Sequence, residues 1–241
     1  MENRNIYDGY LDWKCWGDSF GILDSCTRRY YDLELKKIEK DFRGRNIRVL
    51  EIGFGNGGFL TYALERGWDI EGIEINDNLL NIAKNKGFKV YNSIDYLENN
   101  VFDLIVAFDV LEHIHPDEII GFIARVKNKI KKGGFFIARF PNCDSPIGMR
   151  SQNGDITHQN MIGVEKIFQI SKICKFNVCF LSGSVELVVM ETLKKTIHKI
   201  FVYPIKKIIN ILFKFIYFPT SPSFFSSENL VVFFKKVNED E

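Results

Sequence analysis

The sequence lacks a dominant sign of charge, paired cysteines and long uncharged apolar runs. Its 32 Lys and Arg residues nearly balance 31 Asp and Glu residues. The net charge of +1 gives no general attraction to nucleic acid, so we expect no nucleic-acid partner. The five cysteines are scattered, odd in number and contain no C-x-x-C pair. This pattern predicts a reduced, cytoplasmic protein without structural disulfides.

Signals for membrane targeting or anchoring are also missing from the pattern. Residues 1–12 carry mixed charge without an apolar core, so we expect no signal peptide. No apolar run of about 18 residues is free of charge, so we expect no transmembrane helix. The 241 residues are 46% hydrophobic and 26% charged, which excludes a disordered or collagen-like chain and predicts a folded protein.

The sequence divides into an N-terminal cap, residues 1–45, and a main domain, residues 46–241. The cap contains clustered aromatic residues, followed by a predicted helix over 27–42. Two roles fit this composition: the segment packs on the main domain as a helical cap, or its aromatic side chains cover a bound ligand. The two roles are compatible.

Strands and helices alternate through the main domain, which predicts an α/β fold with a parallel sheet and helices on both faces. The predicted strands cover residues 47–52, 69–74, 88–91, 102–108 and 134–140. Ligands bind such sheets outside the carboxyl ends of the strands, so the loops at that edge form the candidate site. Residues 140–160 are predicted to be a long loop there, and their Gly, Asp and His content favours a functional role.

The C-terminal part of the main domain predicts a helix over 164–174, a strand over 176–181 and a final antiparallel strand over 230–234. Between these strands, residues 190–218 combine many Ile and Phe residues with six lysines, and Pro204 interrupts the pattern. We predict two basic amphipathic helices. Three roles fit them: a lid or homodimer element, a peripheral contact with an anionic membrane, or binding of an anionic substrate.

A glycine cluster follows the first predicted strand, in the segment VLEIGFGNGGFL, residues 49–60. It fits the G-x-G-x-x-G pattern of dinucleotide-binding proteins and the E-x-G-x-G-x-G pattern of S-adenosylmethionine (SAM) enzymes. Both patterns let backbone approach a ligand closely, and both use an acid at the end of the second strand, where Glu74 lies. Glu51 distinguishes them, because a carboxylate would repel a pyrophosphate but attract the sulfonium and ammonium groups of SAM. The residues favour SAM, and a purely structural Glu51 is the alternative.

Four motifs in order resemble the successive motifs of class I SAM-dependent methyltransferases. They are VLEIGFGNGGFL, GIEIN at 72–76, FDLIVAFDVLEHI at 102–114 and KKGGFFIARFPN at 131–142. This resemblance implies a Rossmann-like sheet of seven strands in the order 3-2-1-4-5-7-6, with strand 7 antiparallel. It also implies SAM as the cofactor and S-adenosylhomocysteine as the product, and we expect no metal.

The flanks of these motifs carry a narrower resemblance. The segments YLDWKCWGDSFG at 10–21 and FPNCDSPIGMRSQNGDITHQN at 140–160 are similar to methyltransferases encoded with bacterial capsule and O-antigen genes. In that group a D-[IVL]-T-H element follows the fifth strand. This resemblance implies O-methylation of a sugar or sugar-derived group, on a nucleotide sugar, a lipid-linked precursor or a polymer.

The class I resemblance implies a set of SAM contacts. Glu51 would lie near the amino group, Glu74 would accept the ribose hydroxyls, and Ile75 would pack on the adenine. Many members have an Asp for the adenine amino group where this chain has Ser93, with Asp95 two residues later. The full implied set is Glu51, Gly53, Phe54, Gly55, Gly57, Glu74, Ile75, Ser93, Asp95, Phe108 and Asp109.

Methyl transfer to a hydroxyl needs a general base, and the chain has four histidines. We prefer His158 as the base, with Asp155 or Asp144 orienting it or binding the acceptor. His113 and Asp109 are the other catalytic candidates. The predicted acceptor contacts are Trp16, Asn142, Asp144, Asp155 and His158.

Other functions remain open at this point. The cap tryptophans would suit a quinone-like or other small aromatic acceptor, whereas the polar loop over 140–160 suits a sugar better. A non-catalytic SAM-binding protein that docks partners through residues 190–218 is a further alternative. A nicotinamide-dependent oxidoreductase is disfavoured by Glu51.

Overall fold

A computed structural model describes residues 14, 16, 19–190 and 192–237. Its core is a seven-stranded sheet in the order β3-β2-β1-β4-β5-β7-β6, in which β7 runs antiparallel to both of its neighbours. The strands are β1 (Arg48–Ile52), β2 (Asp69–Ile73), β3 (Lys89–Tyr91), β4 (Phe102–Phe108), β5 (Ile130–Pro141), β6 (Asn177–Gly183) and β7 (Asn229–Lys235). The predicted fold class, strand order and antiparallel last strand are confirmed.

Helices pack on both faces of this sheet. The helices are α1 (Ser25–Leu35), α2 (Glu39–Phe42), α3 (Gly58–Glu65), α4 (Asp77–Asn85), α5 (Ile119–Lys129), α6 (Pro146–Asn153), α7 (Val164–Cys174) and α8 (Leu193–Tyr217). Of these, α8 lies outside this packing and has no buried residue. Short 3-10 turns follow β3 and β4, at Ile94–Tyr96 and Leu111–His113.

The central strand β4 shows why the sheet lies inside the molecule. All seven of its residues are buried, and all but Asp103 are apolar, as is typical of a central strand in a parallel sheet. Because successive side chains point to opposite faces, Ile105 joins one apolar cluster and Val106 joins the other. Ile123 of α5 covers the first face, and Phe59 of α3 covers the second.

Three predicted elements differ from the structure. The helix expected over 27–42 is two helices, because Lys36–Ile38 form a turn after α1. The loop expected over 140–160 contains α6, whose start is capped by the Ser145 hydroxyl accepting from Ile147 N at 3.1 Å. Loop composition therefore hid a short helix.

The third difference concerns residues 190–218, for which we predicted two helices. The structure has one helix, α8, with Pro204 inside it. Proline leaves the carbonyl four residues earlier without a donor. That carbonyl belongs to Ile200, and because no residue of α8 is buried it can be solvated instead. Most apolar side chains of α8 are exposed, whereas the Phe213 ring packs on the protein.

The strand directions determine where α8 lies. β6 runs parallel to β5, so the end of β6 and the start of β7 meet at the carboxyl edge of the parallel strands. The segment between them, which includes α8, therefore emerges beside the candidate site. Among the described residues, no helix combines the length and apolar character needed to cross a bilayer.

Candidate functional site

A cavity of about 1200 Å³ opens at the carboxyl edge of the parallel strands. One end, which we call the glycine-loop end, is formed by Glu51, residues 53–56 and Glu74. The other, the histidine end, is formed by Lys14, His113, Asp155 and His158. The predicted site residues that line the cavity are Trp16, Glu51, Gly53, Phe54, Gly55, Glu74, Ile75, Ser93, Phe108, Asp109, His113, Asp155 and His158.

The glycine loop adopts a backbone that requires glycine. Gly53, Gly55 and Gly57 have φ angles of 68°, 49° and 73°, in the left-handed region that other residues rarely adopt. Two aromatic side chains of the cap lie against this loop: a Cβ on Gly55 would lie 2.9 Å from Trp16, and one on Gly57 would lie 2.6 Å from Phe20. Gly57 therefore packs under Phe20 and does not line the cavity.

Glu74 organises the glycine-loop end through backbone hydrogen bonds. Its Oε2 accepts from Gly55 N at 3.1 Å, and its Oε1 accepts from Ile75 N at 2.8 Å and from Asn76 N at 3.1 Å. Burial raises the pKa of this carboxyl, and the backbone N–H groups oppose that rise. The side chain is thus held rigidly at the end of β2, facing the cavity.

Glu51 is a buried carboxyl with an unsatisfied oxygen. Its side chain is 4% exposed, and its Oε2 has no hydrogen-bond partner within the described structure. Burial, together with the charge of Glu74, raises its pKa well above the usual value. A buried acceptor without a partner is costly, and a ligand cation beside it would remove that cost. The site therefore fits the ammonium group of SAM better than a pyrophosphate.

Asp109 is held by an ion pair. It directly follows β4 with a φ of 59°, and its Oδ1 accepts from Arg139 Nε at 2.9 Å while its Oδ2 accepts from a second guanidinium nitrogen. The same guanidinium lies over the rings of Tyr30 and Phe108. A carboxylate gripped by two charge-assisted hydrogen bonds is a poor proton acceptor. This geometry argues against Asp109 as the base.

The histidine end joins two distant segments of the chain. The His113 Nδ1 lies 2.9 Å from Thr157 Oγ1, and that hydroxyl donates to Asp155 Oδ1 at 2.6 Å. The rings of His113 and His158 meet edge to face, with centroids 4.7 Å apart. Burial and the nearby His158 lower the pKa of His113 to about 4, so this ring is neutral at physiological pH.

Asp155 stays ionised beside these rings. Burial alone would raise its pKa, but hydrogen bonds from Thr157 and the Lys14 ammonium, 3.1 Å away, outweigh burial and lower the pKa to about 2. His158 Nε2 lies 3.9 Å from the same carboxylate, and His158 Nδ1 lies 3.2 Å from the Gln152 carbonyl. Since a carbonyl only accepts, Nδ1 carries the hydrogen and Nε2 is the basic nitrogen.

Glu112 lies under the histidine pair and is 1% exposed. Burial and the charge of Asp109 raise its pKa well above the usual value. Its Oε2 has no partner within the described structure. Glu112, His113 and His158 bring ligand atoms within 4.8 Å of one another, a spacing that could also hold a cation.

Besides Gly57, three predicted residues lie outside the cavity lining. Asn142 was expected to bind the acceptor, but its side-chain amide donates to two backbone carbonyls in the segment 224–227. The Asp144 carboxylate accepts from Val164 N, at the start of α7, at 2.7 Å, so it is directed to that backbone and not to His158 or the cavity. Asp95 bonds to Ser93 in the turn after β3. Trp16, predicted at the acceptor, lies against the glycine loop instead.

The sequence reasoning missed several residues of the histidine end, namely Lys14, Glu112, Arg139 and Thr157. Arg139 carried a visible signal, because it is the one charged residue in the apolar run FFIARF of β5. Glu112 carried one too, as an acid beside His113 after a buried strand. Lys14 and Thr157 gave no signal, since their partners come from distant segments of the chain.

Comparison with known proteins identifies the family. A family model described as "Methyltransferase domain" matches residues 25–175. A ubiquinone biosynthesis O-methyltransferase of Coxiella burnetii is 30% identical over 113 residues, which are 42% of this chain and 47% of that protein. An uncharacterized protein of Methanocaldococcus jannaschii is 35% identical over 119 residues, 48% of each chain. The chain thus spans about half the length of the curated relatives it matches.

Solved structures show the same fold. A SAM-dependent methyltransferase of Archaeoglobus fulgidus aligns with a TM-score of 0.63 at 21% identity, covering 87% of this chain and 94% of that one. The 1,6-didemethyltoxoflavin-N1-methyltransferase of Burkholderia thailandensis aligns at 0.58 and 15% identity, covering 96% and 85%. With the family match over most of the chain and this sheet order, the chain belongs to the methyltransferase domain family and has the class I fold.

Proposed function

We propose that this chain is a SAM-dependent O-methyltransferase whose acceptor is a hydroxyl of a sugar or sugar-derived group of a surface polysaccharide. The observation that carries the proposal is the cavity with two different ends. The glycine-loop end has an unsatisfied buried carboxyl, Glu51, suited to a cation. The histidine end has two rings in edge-to-face contact, His113 and His158, beside an ionised Asp155.

The glycine-loop end would hold SAM, which supplies an electrophilic methyl group on its sulfonium. Glu51 would hold the ammonium, the backbone of residues 53–55 would hold the methionine part, and Glu74 would accept hydrogen bonds from the ribose hydroxyls. The structurally similar toxoflavin N1-methyltransferase was solved with S-adenosylhomocysteine, and a phosphoethanolamine methyltransferase of Haemonchus contortus was solved with SAM.

The histidine end would remove the acceptor proton. His158 Nε2 accepts the hydroxyl hydrogen as the oxygen bonds to the methyl carbon, and the electron pair of the broken carbon–sulfur bond stays on sulfur. Asp155, 3.9 Å away, then stabilises the imidazolium. His113 is the weaker candidate because its pKa is lowered to about 4. Alignment in such a cavity supplies about 7–11 kcal/mol of barrier reduction, and a base adds about 10²–10⁴-fold.

Charge at the histidine end favours a neutral acceptor. Asp109 is neutralised by Arg139, and Asp155 by Lys14. Burial and the charge of Asp109 raise the pKa of Glu112 well above its usual value, which disfavours its charged form. A hydroxylated sugar ring finds hydrogen-bond partners here beside charges that are already paired. The D-I-T-H element at 155–158 supports the same reading, since it supplies the acid and the base.

A phenolic, quinol-like acceptor is the second candidate. The observation that favours it is the similarity to ubiquinone biosynthesis O-methyltransferases, including that of Hahella chejuensis at 29% identity over 90 residues. A phenol is more acidic than a sugar hydroxyl, so it would depend less on His158 as a base. The dependence on His158 therefore distinguishes the two acceptors.

The test is methyl transfer from labelled SAM to three acceptor sets: nucleotide sugars, membrane-extracted glycan precursors or polymer, and small catechols or quinols. Label in a sugar fraction, lost in His158→Ala, supports the proposal. Label only in the phenolic set supports the second candidate. SAM binding without transfer to any set would contradict both and favour a non-catalytic role.

A further inference from the structure

Helix α8 presents an unusual surface beside the cavity. It is 25 residues long, which corresponds to about 37 Å at 1.5 Å per residue. None of its residues is buried. The β7 strand that follows it begins with Asn229, which lines the cavity. Whatever covers α8 would therefore lie close to the mouth of the candidate site.

The side of α8 that faces the protein is largely polar. Lys206 Nζ lies 2.9 Å from a carboxylate oxygen of Glu186, and Asn210 Oδ1 accepts from a backbone N–H in the segment 225–226 at 2.7 Å. The Phe213 ring stacks on the phenylalanine of the same segment, with centroids 3.9 Å apart. These contacts fix the rotation of the helix about its axis.

The opposite side of α8 is apolar and faces solvent. Its members are Leu193, Ile197, Ile200, Phe201, Ile205, Ile208, Ile211, Leu212, Phe215 and Ile216, all of them exposed. Phe201 is 69% exposed and Phe215 is 79% exposed. A helix on a globular domain normally turns its apolar stripe to the core, so this inverted helix requires another apolar partner.

The charge of α8 indicates which kind of partner covers its apolar face. The helix carries six lysines and no Asp or Glu. At 100° per residue, Lys207 and Lys214 lie on one border of the apolar face, and Lys194 lies within the face near the start of the helix. Two copies of this face placed together would bring lysines together with no acid on the helix to compensate. An apolar layer beneath a negatively charged surface matches both features.

We propose that α8 docks on the surface of a bilayer containing anionic lipid, with its apolar face in the headgroup–acyl boundary and its bordering lysines at the phosphates. The helix lies on the membrane rather than crossing it, since no described helix meets the length and apolarity for a span. Docking places the cavity edge at the membrane surface, where a lipid-borne acceptor could enter. This docking proposal does not depend on whether the acceptor is a sugar or a phenol.

The test is co-sedimentation of the full chain with vesicles of phosphatidylcholine, with and without phosphatidylglycerol. We expect binding only when phosphatidylglycerol is present, and we expect high salt to weaken it, because the lysine contribution is screened. No binding to phosphatidylglycerol vesicles at low salt would overturn the proposal. Equal binding to both vesicle types would overturn the proposed role of anionic lipid.

Two double variants separate the contribution of the lysines from that of the apolar side chains. Lys207→Gln with Lys214→Gln should weaken binding to anionic vesicles by about 30-fold, at about 1 kcal/mol per lysine near the surface. The matched control is Lys84→Gln with Lys172→Gln, two exposed lysines on α4 and α7, which should leave binding unchanged. An equal loss in the control would reduce the effect to net charge and overturn the assignment to α8.

The second double variant is Phe201→Ser with Phe215→Ser, which should weaken vesicle binding by more than about tenfold. Thermal unfolding monitored by circular dichroism confirms that the variant folds. Sedimentation equilibrium measures the oligomeric state in parallel. A dimer that this variant dissociates, without vesicle binding by the unchanged chain, would overturn the proposal and make the face an interface between copies.

Discussion

The two ends of the cavity are built in different ways. The glycine-loop end comes from neighbouring strand ends, and Glu74 holds it together through backbone N–H groups. The histidine end comes from side chains of distant segments. Lys14 pairs with Asp155, and Thr157 links Asp155 to His113. The first end is therefore set mainly by backbone geometry, and the second by a side-chain network.

This difference teaches how the two ends should respond to change. Loss of a single side chain at the histidine end should leave the backbone of the glycine-loop end in place. Such a variant should therefore lose turnover while its affinity for the cofactor changes little. A side-chain network fails when one member is removed, because its partners are left buried and unpaired. The predictions below test that separation, beginning with the largest expected effect.

Removing the base should give the largest effect. We expect His158→Ala to lower turnover by about 100-fold, within the usual range for a general base, while SAM affinity changes little. The measurements are steady-state kinetics with a sugar acceptor and SAM titration by calorimetry. His198→Ala is the matched control, since His198 is exposed on α8. Turnover like that of the unchanged chain would remove His158 from the mechanism.

Glu74 tests the other end. We expect Glu74→Ala to weaken SAM binding by more than about tenfold, because the ribose would lose its acceptor and three backbone N–H groups would lose theirs. Glu74→Gln keeps one acceptor oxygen and should lose less. Calorimetry that finds unchanged affinity for the alanine variant would refute the ribose assignment.

Glu51 should separate binding from stability. We expect Glu51→Gln to weaken SAM binding by about tenfold, since the ammonium loses its charged partner. The free energy of unfolding should not fall, because the variant removes a buried carboxyl whose Oε2 has no partner in the described structure. Glu65→Gln, at an exposed position, is the control. A loss of both stability and affinity would favour a purely structural Glu51.

His113 gives a pH-dependent prediction. Its pKa is lowered to about 4 in the folded state from 6.5, so the unfolded chain binds the proton first as pH falls. Stability should therefore decline between about pH 6.5 and pH 4, by up to about 3 kcal/mol, and this decline should then level off. His113→Gln should flatten that part of the curve in urea unfolding. An unchanged curve would contradict the burial argument.

Chelation should give the smallest effect. We expect EDTA to leave methyl transfer unchanged, because the proposed step uses His158 and Asp155 alone. The prediction can fail, because Glu112, His113 and His158 bring ligand atoms within 4.8 Å of one another and could hold a metal ion. Activity lost on chelation and restored by a divalent cation would replace the base by a metal-assisted step.

Much of the fold was predictable because its signals are local. Strand–helix alternation predicts a parallel sheet, and the ordered motifs imply its strand order, which the structure confirms. Errors came where composition misleads: α6 lies within a Gly-rich and Asp-rich stretch, and Pro204 lies inside α8. In both places tertiary context or solvent outweighs the local preference.

The candidate site was predictable to a smaller extent. Residues 53–57 and the acids at 51 and 74 follow strands, so their position at the carboxyl edge follows from topology. Asn142 and Asp144 belong to the same edge, yet they turn to the backbone of 224–227 and to α7. Topology gives the edge on which a residue lies, but it does not give the direction of its side chain.

The sequence by itself determined the alternation of strands and helices, the glycine cradle and the acids beside it, because each depends on contiguous motifs and on the period of strands and helices. The sheet order was implied by the resemblance of those motifs to class I methyltransferases. Only the tertiary structure decided that Thr157 joins Asp155 to His113, that Arg139 grips Asp109, and that the apolar side of α8 faces outward. These features are contacts between distant segments. Periodicity predicts that an apolar face has a partner, whereas the packing of the whole chain determines whether that partner lies within the protein.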